Sequence, residues 1–160
     1  MNAINEIMKK LDEIFAEMDA KILEASKKWA LERRDAMYEF LSSDEAKSMK
    51  MDKYPKAFSI AGGKSWYNVF YGNSEAGIIE FIEKNCAAIV KRRNASIAKK
   101  LEKAGVKEVI SEEFSRCNDG FNGFFMINCD SGIKKVSIES IYAGGYNIQC
   151  LHQRVLCKVK

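Results

Sequence analysis

Cys150 and His152 are the residues whose types first suggest chemistry, because an imidazole beside a thiol is one way a cysteine nucleophile is activated. They stand two positions apart in a run of strand-like composition. At a rise of ~3.3 Å per residue their Cα atoms are about 6.6 Å apart on one face, too far for a direct hydrogen bond without a bend. His152 is the only histidine, so there is no second imidazole for a two-histidine mechanism or a multi-histidine metal site. Strand packing is the expectation for both residues. A cysteine-dependent enzyme is the lesser alternative.

Other chemistries have less behind them. The five cysteines, at 86, 117, 129, 150 and 157, contain no pair at the spacing of a zinc knuckle. Odd in number and widely separated, they read as reduced thiols serving as small hydrophobes. Ala61-Gly62-Gly63-Lys64-Ser65 looks like the end of a phosphate-binding loop, yet Phe58 holds the place of that motif's first glycine and no parallel strand precedes it. A flexible turn or an anion nest around Lys64 is the expectation there. The carboxylate pairs Glu112 with Glu113 and Asp119 with Asp130 fall at strand edges and turns, with nothing to support a general acid or base role. No catalytic residue, metal or cofactor is expected.

What remains is charge and aromatic surface. Residues 73–105 hold seven basic and four acidic side chains, and the excess gathers in Lys91, Arg92, Arg93, Lys99, Lys100 and Lys103. On a helix, Arg92, Lys99 and Lys103 fall within about 40° of one another and opposite Ile79, Ile97 and Leu101, with Arg93 and Lys100 flanking that apolar stripe. Such a row suits phosphates or an acidic protein, although cations near a helix C-terminus are also what the macrodipole favours on an ordinary solvated face. Trp66, Tyr67, Phe70 and Tyr71, with Phe121, Tyr142 and Tyr146, supply the residue types of interface hot spots and of stacking platforms for single strands. The candidate binding set is therefore Arg92, Arg93, Lys99, Lys100 and Lys103 with Lys64, Trp66 and Tyr67.

The elements that must position these residues are legible from period. Apolar side chains at Ile4, Ile7, Leu11, Ile14, Met18, Ile22, Ala25, Trp29, Ala36 and Phe40 recur mostly every three or four positions, and no glycine or proline interrupts residues 1–41. One helix on the order of 60 Å long follows. A second runs from the capping residues Asn73 and Ser74 to Gly105, with Ile79, Ile82, Cys86, Ile89, Val90, Ile97, Leu101 and Ala104 inward. Between them, 42–72 has no clear period, contains the single proline, Pro55, and carries enough aromatic residues that part of it should pack as short helix or strand.

After Gly105 come four β-branched and aromatic runs, 109–117, 121–129, 133–142 and 146–159, divided by the turns Asn118-Asp119-Gly120, Asp130-Ser131-Gly132 and Ala143-Gly144-Gly145. In the third, Val136 and Ile138 alternate with Lys135, Ser137 and Glu139, so one sheet face meets water. The second is apolar on both faces, and a change of parity in the fourth suggests a bulge near 152–154. The expected fold is α+β: a long antiparallel helical hairpin with an aromatic connector (1–105), then a four-stranded antiparallel β-meander (106–160) packed on it as one folding unit.

With 47% hydrophobic and 30% charged residues in 160, the composition is that of an ordinary globular chain and excludes collagenous or low-complexity types. No apolar run approaches the ~20 residues of a membrane span, and the charged residues 1–10 do not read as a signal peptide, so a cytoplasmic protein without membrane contact is expected. An uncovered stripe on the first helix would favour a homodimer through Ile4 to Met18.

The stretch Gly144-Gly145-Tyr146-Asn147-Ile148-Gln149-Cys150-Leu151-His152-Gln153-Arg154-Val155-Leu156, about a tenth of the chain, resembles the ends of small accessory proteins of tailed phages and prophages. What the resemblance implies is a context: such proteins bind and redirect a host protein or nucleoprotein complex, defence systems included, as an inhibitor of the anti-CRISPR kind does. The leading expectation is a non-enzymatic modulator of that type. Direct nucleic-acid binding by the basic helix face is the alternative.

Overall fold

The structure, a computed structural model, describes residues 2–48, 70–117, 120–143 and 152–160. It is an α+β fold in which helices α1 (Ala3–Leu41), α2 (Asp44–Ser48) and α3 (Glu75–Ala104) precede strands β1 (Val106–Cys117), β2 (Gly120–Cys129), β3 (Gly132–Ala143) and β4 (His152–Val159). The strands pair in sequence order, antiparallel throughout, as the turn signals require. Asp130 and Ser131 form the two-residue connection between β2 and β3, closed by the pair Cys129 and Gly132. Of the other two expected turns, Gly120 opens β2 and Ala143 closes β3, while Asn118, Asp119, Gly144 and Gly145, with the first six residues of the expected last strand, fall outside the described residues.

Helix ends follow local chemistry. Asn2 Oδ1 accepts the Asn5 amide at 2.8 Å, Ser43 Oγ the Ala46 amide at 3.2 Å, and Ser74 Oγ the Gly77 amide at 3.0 Å. Each satisfies a donor that the first turn leaves without an intrahelical partner. At the far end of α3, Gly105 takes φ +71°, and its amide donates to the Glu102 carbonyl at 3.1 Å. The left-handed conformation is what glycine supplies at a helix stop.

The described residues group into two compact units. The first contains α1 up to Lys21, α3 from Ala87, and the sheet. Its core is one sheet face (Phe121, Phe125, Ile127, Cys129, Val136, Ile138 and Cys157) closed over Ile7, Leu11 and Phe15 of α1 and Ile97 and Leu101 of α3. Gly123 lies on that face opposite Phe114. A Cβ at 123 would collide with the Phe114 ring, so the glycine is what lets the ring lie down over β2 and meet Phe125 at 5.1 Å. The second unit takes in the rest of α1, α2, and α3 up to Cys86, with Ala30, Met37, Phe70, Ile78 and Ile82 at its centre. Within each unit the two long helices run antiparallel. Asp12 meets Asn94 and Asp19 meets Arg93 in the first; Lys27 meets Glu83 and Arg34 meets the Asn73 carbonyl in the second.

Several expectations need correction. The buried line of α1 is Ala3, Ile7, Leu11, Phe15, Ile22, Ser26, Ala30 and Met37, whereas Ala36 is exposed and Ala25 and Trp29 are half-buried. Steps of four predominate, so the inward stripe drifts around the helix and a fixed face chosen at the N-terminus loses it. Ile78 is fully buried where Ile79 was expected. β4 pairs in unbroken register from His152 to Val159, and the irregularities lie instead in β1, between Val106 and Glu108 and between Val109 and Ser111. β2 is buried on one face, with Phe124 and Met126 half-exposed on the other. Ile4, Ile14 and Met18, the stripe expected to serve a homodimer, pack against the chain's own core.

Among the described residues, Ser26 and Ser140 bury hydroxyls that have no hydrogen-bond partner. Ser26→Ala should therefore leave stability unchanged or raise it by up to about 1 kcal/mol, since a desolvated, unmatched hydroxyl is removed. Phe125→Ala should lower it by about 3–5 kcal/mol through a cavity in the first core. Urea unfolding followed by circular dichroism reads both.

Candidate functional site

The second half of α3 sorts its cations by direction. Burial of Ile97 and Leu101 against the sheet turns Arg92, Lys99 and Lys103 outward, and all three are exposed. Arg93 and Lys100, which flank the buried stripe, instead bond groups of the chain itself, Arg93 half-buried and Lys100 still exposed. The Arg93 guanidinium makes two hydrogen bonds to Asp19, at 2.8 and 3.1 Å, lies 3.7 Å from the centre of the Phe15 ring, and donates from Nε to Asn94 at 3.3 Å. Its side chain is only 9% exposed. Lys100 Nζ donates to the Cys157 carbonyl at 2.8 Å, tying α3 to β4. Of the five expected binding cations on this helix, three are thus exposed with no ion-pair partner among the described residues, and two hold elements of the first unit together.

Several acidic groups of that unit have partners as well. Glu112 pairs with Lys10 at 3.2 Å, Asp130 with Lys107 at 3.1 Å, and Glu17 with both Lys21 and Arg116. The Arg116 guanidinium and the Lys21 ammonium hold the Glu17 carboxyl below the usual carboxylate range. Arg92, Lys99 and Lys103 have no ion-pair partner among the described residues. Along the helix axis they span roughly 16 Å.

A second surface, missed in the sequence, is the sheet face turned away from the helices. It carries a shallow groove of about 400 Å³ whose floor includes Phe124 and Leu156, with Glu113, Glu139, Lys135 and Lys158 among its lining. Lys135 Nζ sits 4.3 Å from the Phe124 ring centre, a cation–π contact. Ser115 and Asn122 hydrogen-bond across β1 and β2 at 2.9 Å. The signal was present in the alternation of β3, but which residues of the neighbouring strands share a row depends on register.

Lys64, Trp66, Tyr67 and Cys150 lie outside the described residues; His152 opens β4, its backbone paired with Ala143. Among the described residues no group of three or more His, Cys, Asp or Glu side chains is placed to hold a metal, and no helix is long and apolar enough to cross a membrane. Cys129 and Cys157 are free thiols. Burial pushes the Cys157 thiol up in pKa despite the nearby Lys100, which keeps it protonated and unreactive near neutral pH.

Two outcomes follow from these contacts. Asp19→Ala leaves the Arg93 guanidinium without its counter-ion and should cost about 2–3 kcal/mol by urea unfolding, most of it regained in Asp19→Ala with Arg93→Met. Alkylation of the native protein near neutral pH should spare Cys129 and Cys157, both of which label after denaturation; mass spectrometry of digested samples reads the difference.

No protein-family model, curated protein or solved structure matches the chain, so its chemistry is read from its own geometry.

Proposed function

We propose that this chain is a non-enzymatic interaction protein, a modulator or inhibitor of the phage-accessory type, that occupies an acidic surface of a host protein or nucleoprotein complex through Arg92, Lys99 and Lys103. The observation that carries the reading is the sorting of charge on α3: the outward cations are exposed and lack ion-pair partners among the described residues, while the acids of the same unit at 12, 17, 19, 112 and 130 are already bonded. Three unpaired cations in line on a rigid helix offer a complementary acidic partner fast, salt-sensitive association without reordering the protein. Arg93 and Lys100 do not belong to the contact surface in this reading, because their donors are engaged within the chain.

The same straight row also supports the alternative, contact with a nucleic-acid backbone. Neutralising three phosphates would give an affinity that falls with salt at a log–log slope of about −2.7 on duplex DNA.

The discriminating experiment compares the wild-type chain with Arg92→Glu/Lys99→Glu/Lys103→Glu. Immobilised wild type should retain a defined bacterial protein at low salt and release it as salt rises, and the triple variant, folded by circular dichroism, should retain none of it. Equal retention by both forms would sink the proposal. Gel shifts with duplex and single-stranded DNA form the second arm, and a complex with the slope above, lost in the triple variant, selects the nucleic-acid alternative instead.

A further inference from the structure

The outer face of the sheet has a self-complementary order. Register places Glu113, Phe124, Ser137 and Lys158 in one row across β1 to β4. The next row toward the far end of β1 is Ser115, Asn122, Glu139 and Leu156, and the row on the other side is Ser111, Met126, Lys135 and Lys160. Glu113 and Lys158 are both exposed, and neither has an ion-pair partner among the described residues. They cannot satisfy each other within one chain, because three strand spacings of about 4.8 Å put them ~14 Å apart. Between them lie the half-buried Phe124 and Met126, with Leu156 at 38% and Ile133 at 66% exposure on the same face.

We infer that this face binds a second copy of the chain, the two sheets meeting across a two-fold axis that runs parallel to the strands between β2 and β3. That operation lays β1 of one copy over β4 of the other and β2 over β3 while preserving the height of every row. Glu113 then faces Lys158 of the partner subunit twice over, Phe124 faces Ser137 of the partner subunit, and Asn122 is offered to Glu139 of the partner subunit. Sheets packed face to face lie ~10 Å apart, a gap that a glutamate and a lysine close from opposite sides. The usual ~30° rotation between packed sheets shifts the outer strands by a few ångströms, within the reach of both side chains.

Charge selects this occupant over others. A nucleic-acid strand on the face would meet Glu113 and Glu139, and an apolar helix would strand four charged side chains without partners. With three strand spacings of width, the footprint is smaller than the ~800 Å² per partner of a stable complex, so association is weak and concentration-dependent. The axis leaves the outward row of α3 free in each copy.

Sedimentation velocity on the full chain tests the inference. The mass should rise from that of one chain toward twice that value as protein increases through the micromolar range, and fall again at high salt. Glu113→Lys and Lys158→Glu should each weaken association at least about tenfold, since like charges then face each other twice. The combined swap, Glu113→Lys with Lys158→Glu, should restore it. Circular dichroism confirms that each variant is folded, and Glu113→Gln with Lys158→Gln gives a milder pair if reversal disturbs the sheet. A wild type that stays monomeric at every concentration overturns the inference; so does a dimer indifferent to the single reversals, or a double variant that fails to recover.

Discussion

Phe15 of α1 meets Phe121 of β2 edge-on at 4.9 Å, and the Arg93 guanidinium of α3 lies 3.7 Å from the centre of the same Phe15 ring. Three elements far apart in the chain are joined at that point. The ring gives the sheet a surface to close on, and the guanidinium, held by Asp19, keeps α3 against α1 at a fixed height. A nearly buried cation is tolerable because its donors are matched by a bidentate carboxylate and its flat face rests on a ring. Once α3 is held in this way, the direction of every other residue in its second half follows from the helical repeat.

This anchoring explains why the helix has two kinds of cation. Residues at the border of the buried stripe bond Asp19 and the Cys157 carbonyl, and their charge serves cohesion. Residues on the opposite side, Arg92, Lys99 and Lys103, are exposed and have no ion-pair partner among the described residues. A count of lysines and arginines overstates the unengaged charge of the helix, because it cannot distinguish the two. The sheet shows the same division. Its inner face is apolar with Glu112 and Arg116 at its margin, paired to Lys10 and Glu17 of α1, while its outer face mixes Phe124 and Leu156 with unpaired charges.

The second unit is built differently. Its centre is a smaller group of Ala30, Met37, Phe70, Ile78 and Ile82, and polar contacts join its elements too. Tyr38 accepts the Gly72 amide at 2.9 Å, stacks with Tyr71 at 6.3 Å, and has the Arg34 guanidinium 5.1 Å from its ring. Arg34 also donates to the Asn73 carbonyl just before α3 begins. These bonds fix the entry of α3 beside the Ser74 cap, so the start of the helix is set by local and tertiary contacts together.

Local rules were enough for much of this. The absence of breakers in residues 3–41, the Ser74 and Gly105 stops, and the Asp130-Ser131-Gly132 turn determine element type and strand order, because capping and turn chemistry act over a few residues. The outward placement of Arg92, Lys99 and Lys103 was legible for the same reason, since a helix of known stripe fixes its own opposite face. Tertiary structure alone decided the rest. Arg93 and Asp19 are 74 positions apart, and no local pattern announces that they pair. Phe15 displaces Ile14 from the centre of the stripe only because Phe121 is there to receive it. The rows of the outer sheet face depend on register, where the displaced residues of β1 shift which side chains stand together. Long-range complementarity of this kind is a property of pairs, and a single sequence states only one member at a time.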